Sequence, residues 1–219
     1  MRNLPAPIQV TAQALTDWWD DWVNLVIVNL AWMLCWLTVL LGPPATFGLY
    51  YVTNSLAHGE SLGLRGLLTG GRRYFFKSWL WALLNLGVII VAVVNVLFYA
   101  QFDGDWVVFV QGFYILAAVL WLIVQFYALP YLMEQEQKRL RSALRNGLFT
   151  ALAAPGYTLV VVGLTVLIIA LSMSFVFPLF FGAPCLIAVL GNRAVLERLE
   201  AFGVREQEAA QGEHQQDEP

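Results

Sequence analysis

Uncharged, mostly apolar positions fill four long stretches of the chain: Trp22 to Ala57, Ser78 to Phe102, Trp106 to Met133 and Asn146 to Asn192. None alternates with the period of two that marks a half-buried strand or a lipid-facing barrel. A helix rises about 1.5 Å per residue, so about 20 apolar residues cross a hydrocarbon core about 30 Å thick. The pattern predicts five spanning helices, at 23–41, 79–99, 106–129, 157–174 and 177–195. Gly42-Pro43-Pro44 stops the first, because proline has no amide donor and pushes the residue before it out of the helical region. Ala45 to Leu56 reads as a short interfacial helix. The 47 positions from Asn146 to Asn192 are too many for one crossing; Pro155-Gly156 opens a span there and Ser172 to Pro178 breaks it.

Composition sharpens the picture. The 219 residues are 59% hydrophobic and only 12% charged, with a net charge of -3. Soluble domains carry about 25% charged residues, so a water-facing surface cannot be built from this chain. An ordinary soluble enzyme, a disordered protein and a basic nucleic-acid binder are excluded. Two cysteines make no disulfide framework. The expectation is an all-α polytopic membrane bundle, one membrane-embedded domain over 1–203, with short cytoplasmic amphipathic helices. A disordered acidic tail is expected over 204–219, which holds five carboxylates after Val204. The segment before Trp22 is acidic and Trp-rich and lacks the apolar core of a signal peptide.

Lysine and arginine divide among the segments between spans as 1, 4, 0, 4, 0 and 3. Short basic loops stay in the cytoplasm, so a bacterial plasma-membrane protein is expected with its N-terminus outside and its C-terminus inside. Trp18, Trp19, Trp22 and Trp106 would then sit at the outer interface. The two basic connections hold Arg65, Arg72, Arg73 and Lys77, and Lys138, Arg139, Arg141 and Arg145. Leu140, Leu144 and Leu148 run beside the second set; Leu64, Leu67, Leu68 and Phe75 make a rougher stripe beside the first, interrupted by Gly66, Gly70 and Gly71. Both read as basic amphipathic helices. They either grip anionic lipid headgroups and dock a partner, or serve only to fix topology.

Ionisable residues inside spans mark transport or catalysis, and the predicted spans hold none before Arg193 at the end of the fifth. No catalytic, cofactor-binding or metal-ligating set is predicted. Gln111 and Gln125, 14 apart, fall on nearly one face of the third span. They either line a small polar pathway or make hydrogen bonds between helices. Cys35 and Cys185 read as small apolar fillers rather than a redox pair, and Glu134 and Glu136 as a solvated collar.

The run Asn29-Leu30-Ala31-Trp32-Met33-Leu34-Cys35, followed by Pro44-Ala45-Thr46-Phe47-Gly48-Leu49-Tyr50-Tyr51-Val52 and by the basic aromatic stretch from Arg72 to Lys77, resembles the YesL-type family of bacterial membrane proteins. The closing segment from Phe177 to Arg193 is similar as well, while Thr38, Leu41 and Pro43 depart from the pattern. The family has no established activity, and its members are often encoded near genes for sugar uptake. The resemblance implies a non-enzymatic accessory or scaffold component linked to carbohydrate uptake, its partners the lipid bilayer and another membrane or cytoplasmic protein such as a transporter subunit. No nucleic acid is implied. A small transporter or channel subunit is the alternative.

Overall fold

A computed structural model describes the backbone over residues 5–216 and side chains over 5–203. It is 87% helix, and the described residues contain no strand. The helices are α1 (Ala6–Asp20), α2 (Trp22–Leu37), α3 (Gly42–Ala57), α4 (Gly63–Arg73), α5 (Phe75–Tyr99), α6 (Asp105–Glu134), α7 (Leu140–Ala153), α8 (Pro155–Phe175), α9 (Phe177–Phe181) and α10 (Ala183–Gln216).

Three helices are long and apolar enough to cross a membrane: α5, α6 and α8. They correspond to the second, third and fourth expected spans. The pair α1 and α2 passes the same test jointly but bends by 88° at its junction. Three to four crossing helices is therefore the count the structure carries.

The expected first and fifth spans differ for local reasons. Helix α2 ends at Leu37, and Val39 adopts a positive φ of 56° that no continuous helix permits. Its 16 residues measure about 24 Å, short of a full crossing. The fifth expected span is cut at Gly182, where φ is 114°. From there to Arg193 is eleven residues, about 16 Å of helix, roughly half the hydrocarbon core. This part of α10 is interior: Cys185, Ala188, Val189, Leu190, Ala194 and Val195 are buried.

Helix α3, read from sequence as a short interfacial piece, is the best-buried element of the molecule. Pro43 and Pro44 do not stop a helix but start one, since the first turn has no use for their missing amides. Phe47, Leu49, Val52 and Thr53 are within 2% of full burial. The interior is built by close approach of backbones through small residues, as expected where lipid supplies no hydrophobic drive between helices. A Cβ on Gly48 would lie 2.2 Å from the Leu67 carbonyl oxygen, and one on Gly70 would lie 2.7 Å from Tyr51 Cβ.

The same logic shapes the two amphipathic helices. Helix α4 buries Gly66, Leu67, Gly70 and Gly71, and leaves Leu64 and Leu68 exposed. Helix α7 buries Ala143, Gly147 and Thr150 and leaves Leu148, Phe149 and Leu152 exposed. The stripes are divided: Leu67 and Leu140 pack inward while Leu64, Leu68 and Leu148 face outward, because the inner face is built mainly of small side chains.

The acidic tail expected over 204–219 lies outside the residues whose side chains are described, and 217–219 lie outside the described backbone.

Candidate functional site

Polar side chains collect where the C-terminal ends of α3 and α6 meet the middle of α10. Asn54 on α3 donates to the Glu134 carboxylate on α6 and, at 3.4 Å, to the Asn192 amide oxygen on α10. Asn192 in turn donates to Thr53 Oγ1 at 3.0 Å and to the Ala188 carbonyl at 2.9 Å. His58 Nε2 stands 3.6 Å from Glu134 Oε2. Three helices are thus cross-linked by one network whose innermost members, Thr53 and Asn192, are 0% and 1% exposed.

Beside the network, Arg193 makes a two-pronged contact with Asp17 of α1: Nε to Oδ2 at 2.5 Å and the terminal nitrogen to Oδ1 at 2.8 Å. A cavity of ≈ 350 Å³ opens next to it, lined among others by Gln13, His58, Arg193, Glu197 and Glu200. On the far side, Ser61 donates to Asp21 at 2.6 Å, and Asn24 donates to the same carboxylate at 2.7 Å.

Sequence reasoning missed this cluster. Glu134 was expected to be a solvated collar, yet its side chain is mostly buried and held by Asn54 and His58. The ion pair joins positions 176 apart in sequence. The threading expected from charge would set Asp17, before a first crossing, and Arg193, at the end of a fifth, on opposite faces of the bilayer. Their ion pair sets them at one level.

The predicted cationic residues lie on α4, the start of α5, the α6–α7 connection and α7, and the structure brings Arg73, Lys77 and Lys138 together. Arg65, Arg72, Arg73, Lys77, Arg139, Arg141 and Arg145 are exposed, and Lys138 is half-buried. Among the described residues none of the eight forms an ion pair. Lys77 donates to the Lys138 carbonyl at 2.8 Å, and Lys138 donates to the Met133 carbonyl. Arg73 lies over the Tyr74 ring at 5.6 Å. Burial lowers the Lys138 pKa from its ordinary value; Glu134 opposes that shift, and Arg73 and Lys77 add to it.

Gln111 and Gln125 both turn toward α5. Gln111 donates to the Val96 carbonyl at 3.0 Å. Gln125 accepts from the Trp81 indole at 2.8 Å, and Asn85 accepts from Trp121 at 2.9 Å. These bonds tie the α5–α6 hairpin together, one every few turns. Among the described residues no group of three or more His, Cys, Asp or Glu side chains could hold a metal ion. Cys35 and Cys185 are both free thiols.

No protein-family model, curated protein or solved structure matches this chain.

Proposed function

We propose that this is a non-enzymatic accessory or scaffold protein of a bacterial plasma membrane, held in the bilayer by α5, α6 and α8 and presenting α4 and α7 to the cytoplasmic headgroup layer and to a partner protein. One observation carries the reading. The eight cations of Arg65–Lys77 and Lys138–Arg145 form no ion pair among the described residues, and α4 and α7 also leave Leu64, Leu68, Leu148 and Phe149 exposed. Exposed leucine beside exposed arginine suits a membrane surface, where the apolar chain enters the acyl boundary and the cation meets phosphate. The YesL-type resemblance supports a partner in carbohydrate uptake.

The geometry favours both termini on that cytoplasmic face. Gln13 in the middle of α1 and Glu197 and Glu200 of α10 line one cavity with His58, which pairs with Glu134 at the inner end of α6. Helices α1 and α2 then enter and return rather than cross, and α9 with the first turns of α10 brings the chain back alongside α8, Ala183 lying near Ser172 and Ala194 near Tyr157. This revises the orientation expected from charge, and it keeps every basic connection inside.

The test is co-purification from native membranes in mild detergent, comparing the wild-type chain with one carrying Arg72→Ala, Arg73→Ala, Arg141→Ala and Arg145→Ala. Loss of a stoichiometric companion supports the scaffold reading; an unchanged set of companions overturns it.

A further inference from the structure

A slot of ≈ 160 Å³ lies on the cationic corner. Its walls come from four elements: Cys35 of α2, Pro44 and Ala45 of α3, Leu67 and Leu68 of α4, and Phe75 at the start of α5. All are apolar. Arg72 also lines it, is exposed, and has no hydrogen bond or ion pair among the described residues. Close packing fixes the backbone that carries Arg72 beside the slot, since Gly71 brings α4 so near α3 that an added Cβ would stand 3.2 Å from the Pro44 carbonyl oxygen. Arg73, Lys77 and Lys138 crowd the same corner. Glu134 acts on Lys138 but is itself engaged by Asn54 and His58, and among the described residues no carboxylate pairs with Arg72, Arg73 or Lys77. The corner thus has an excess of positive charge beside a narrow apolar channel.

We propose that this slot is a binding site for one anionic phospholipid, with an acyl chain between α2, α3 and α4 and the phosphodiester held by Arg72. Charge complementarity requires an anion; the apolar walls require that the anion carry a chain. A free phosphate would satisfy only the first condition and an acidic peptide would leave the slot unfilled. The proposal rests on the reading of α4 and α7 as a membrane-facing cationic surface and gives that surface one defined ligand.

The experiment uses the full chain in detergent, equilibrated with mixed micelles of palmitoyl-oleoyl phosphatidylglycerol or of the matching phosphatidylcholine, and counts retained lipids by native mass spectrometry. One phosphatidylglycerol should be retained about fivefold better than phosphatidylcholine, the effect of one well-placed cation at a membrane surface. Arg72→Ala should abolish that preference. Leu68→Trp, which fills the slot and removes no charge, should abolish retention itself. Arg141→Ala, a cation on α7 that does not line the slot, should weaken the preference clearly less than Arg72→Ala. A second readout needs no variant: Cys35 lines the slot while Cys185 is fully buried. Phosphatidylglycerol should slow maleimide alkylation of Cys35 at least severalfold, and inorganic phosphate should not.

Equal retention of the two lipids overturns the proposal. So does an equal effect of Arg141→Ala and Arg72→Ala, which would make the surface diffusely cationic while leaving the membrane-facing reading intact. Displacement by a poly-glutamate peptide with no effect of Leu68→Trp would make the corner a protein dock instead. Partner recovery in the co-purification assay is read separately from lipid count, so either idea can fail alone.

Discussion

Arg193 of α10 holds Asp17 of α1 through both of its reachable nitrogens, and the contact pins the first helix across the last. Both side chains are mostly buried, at 25% and 17% exposure, so solvent screens the pair only in part. Hydrogen bonds to charged groups contribute about 1.5–3 kcal/mol. Asp17→Asn should therefore lower stability by about 2 kcal/mol, read as a fall in the detergent melting temperature. A double-mutant cycle with Arg193→Leu should show coupling; strictly additive losses would mean that the two residues act separately.

The same pair makes the threading testable. In a background of Cys35→Ser and Cys185→Ala, single cysteines are placed at Gln13, Asp103 and Arg139, all exposed positions. An impermeant thiol reagent added to intact cells should label only the cysteine at 103. Labelling at 13 together with 103 would restore the outside N-terminus predicted from charge.

Backbone crowding predicts opposite outcomes for one substitution at two glycines. Gly48→Ala drives a methyl into the Leu67 carbonyl and should cost about 1–3 kcal/mol. Gly87→Ala on α5 meets open space and should stabilise its helix by about 0.5–1 kcal/mol. Thermal unfolding of the two variants beside wild type decides it.

The hairpin bonds predict a modest loss. Gln125→Leu strands the Trp81 indole N–H, and interhelical hydrogen bonds in membranes average about 0.6 kcal/mol with a maximum near 1.7. A destabilisation of about 1 kcal/mol is expected. A liposome flux that appears in wild type and vanishes in this variant would instead return the polar-pathway reading of Gln111 and Gln125.

Alkaline pH tests the surroundings of Tyr50. Burial pushes its hydroxyl up to about 12 from an ordinary 10.0. Above about pH 10 the unfolded chain releases this proton while the folded chain keeps it, so the contribution present below that pH is lost as pH rises toward 12. Tyr50→Phe should flatten the fall in melting temperature over that window and leave neutral pH almost unchanged, because the hydroxyl has no hydrogen-bond partner among the described residues. An identical alkaline profile in both proteins would show that the hydroxyl is solvated.

How much of this was legible in the chain depends on what each helix faces. Helices α5, α6 and α8 touch lipid along much of their length, and a uniform apolar run announces that directly. Helix α3 packs mostly against protein. Its Gly, Ala, Thr and Tyr residues look too polar for a membrane core, yet they are what lets neighbouring backbones meet. On α4 the glycines read from sequence as interruptions of the leucine stripe; Gly66 and Gly70, four apart, are instead part of the packing face. The meeting of Glu134 with His58 and of Asp17 with Arg193 had no local signature, because each pair is distant in sequence and its residues look individually ordinary.

Helix α5 buries only Ser78, and between Trp106 and Ile123 helix α6 buries only Val107. The outer two-thirds of this hairpin borrow their packing from the bilayer instead of from the rest of the chain. Adding or removing a matched turn on both arms should leave the interior around Phe47 and Asn192 untouched. The hairpin can then track bilayers of different thickness as an adjustable stem, while the body it carries stays unaltered.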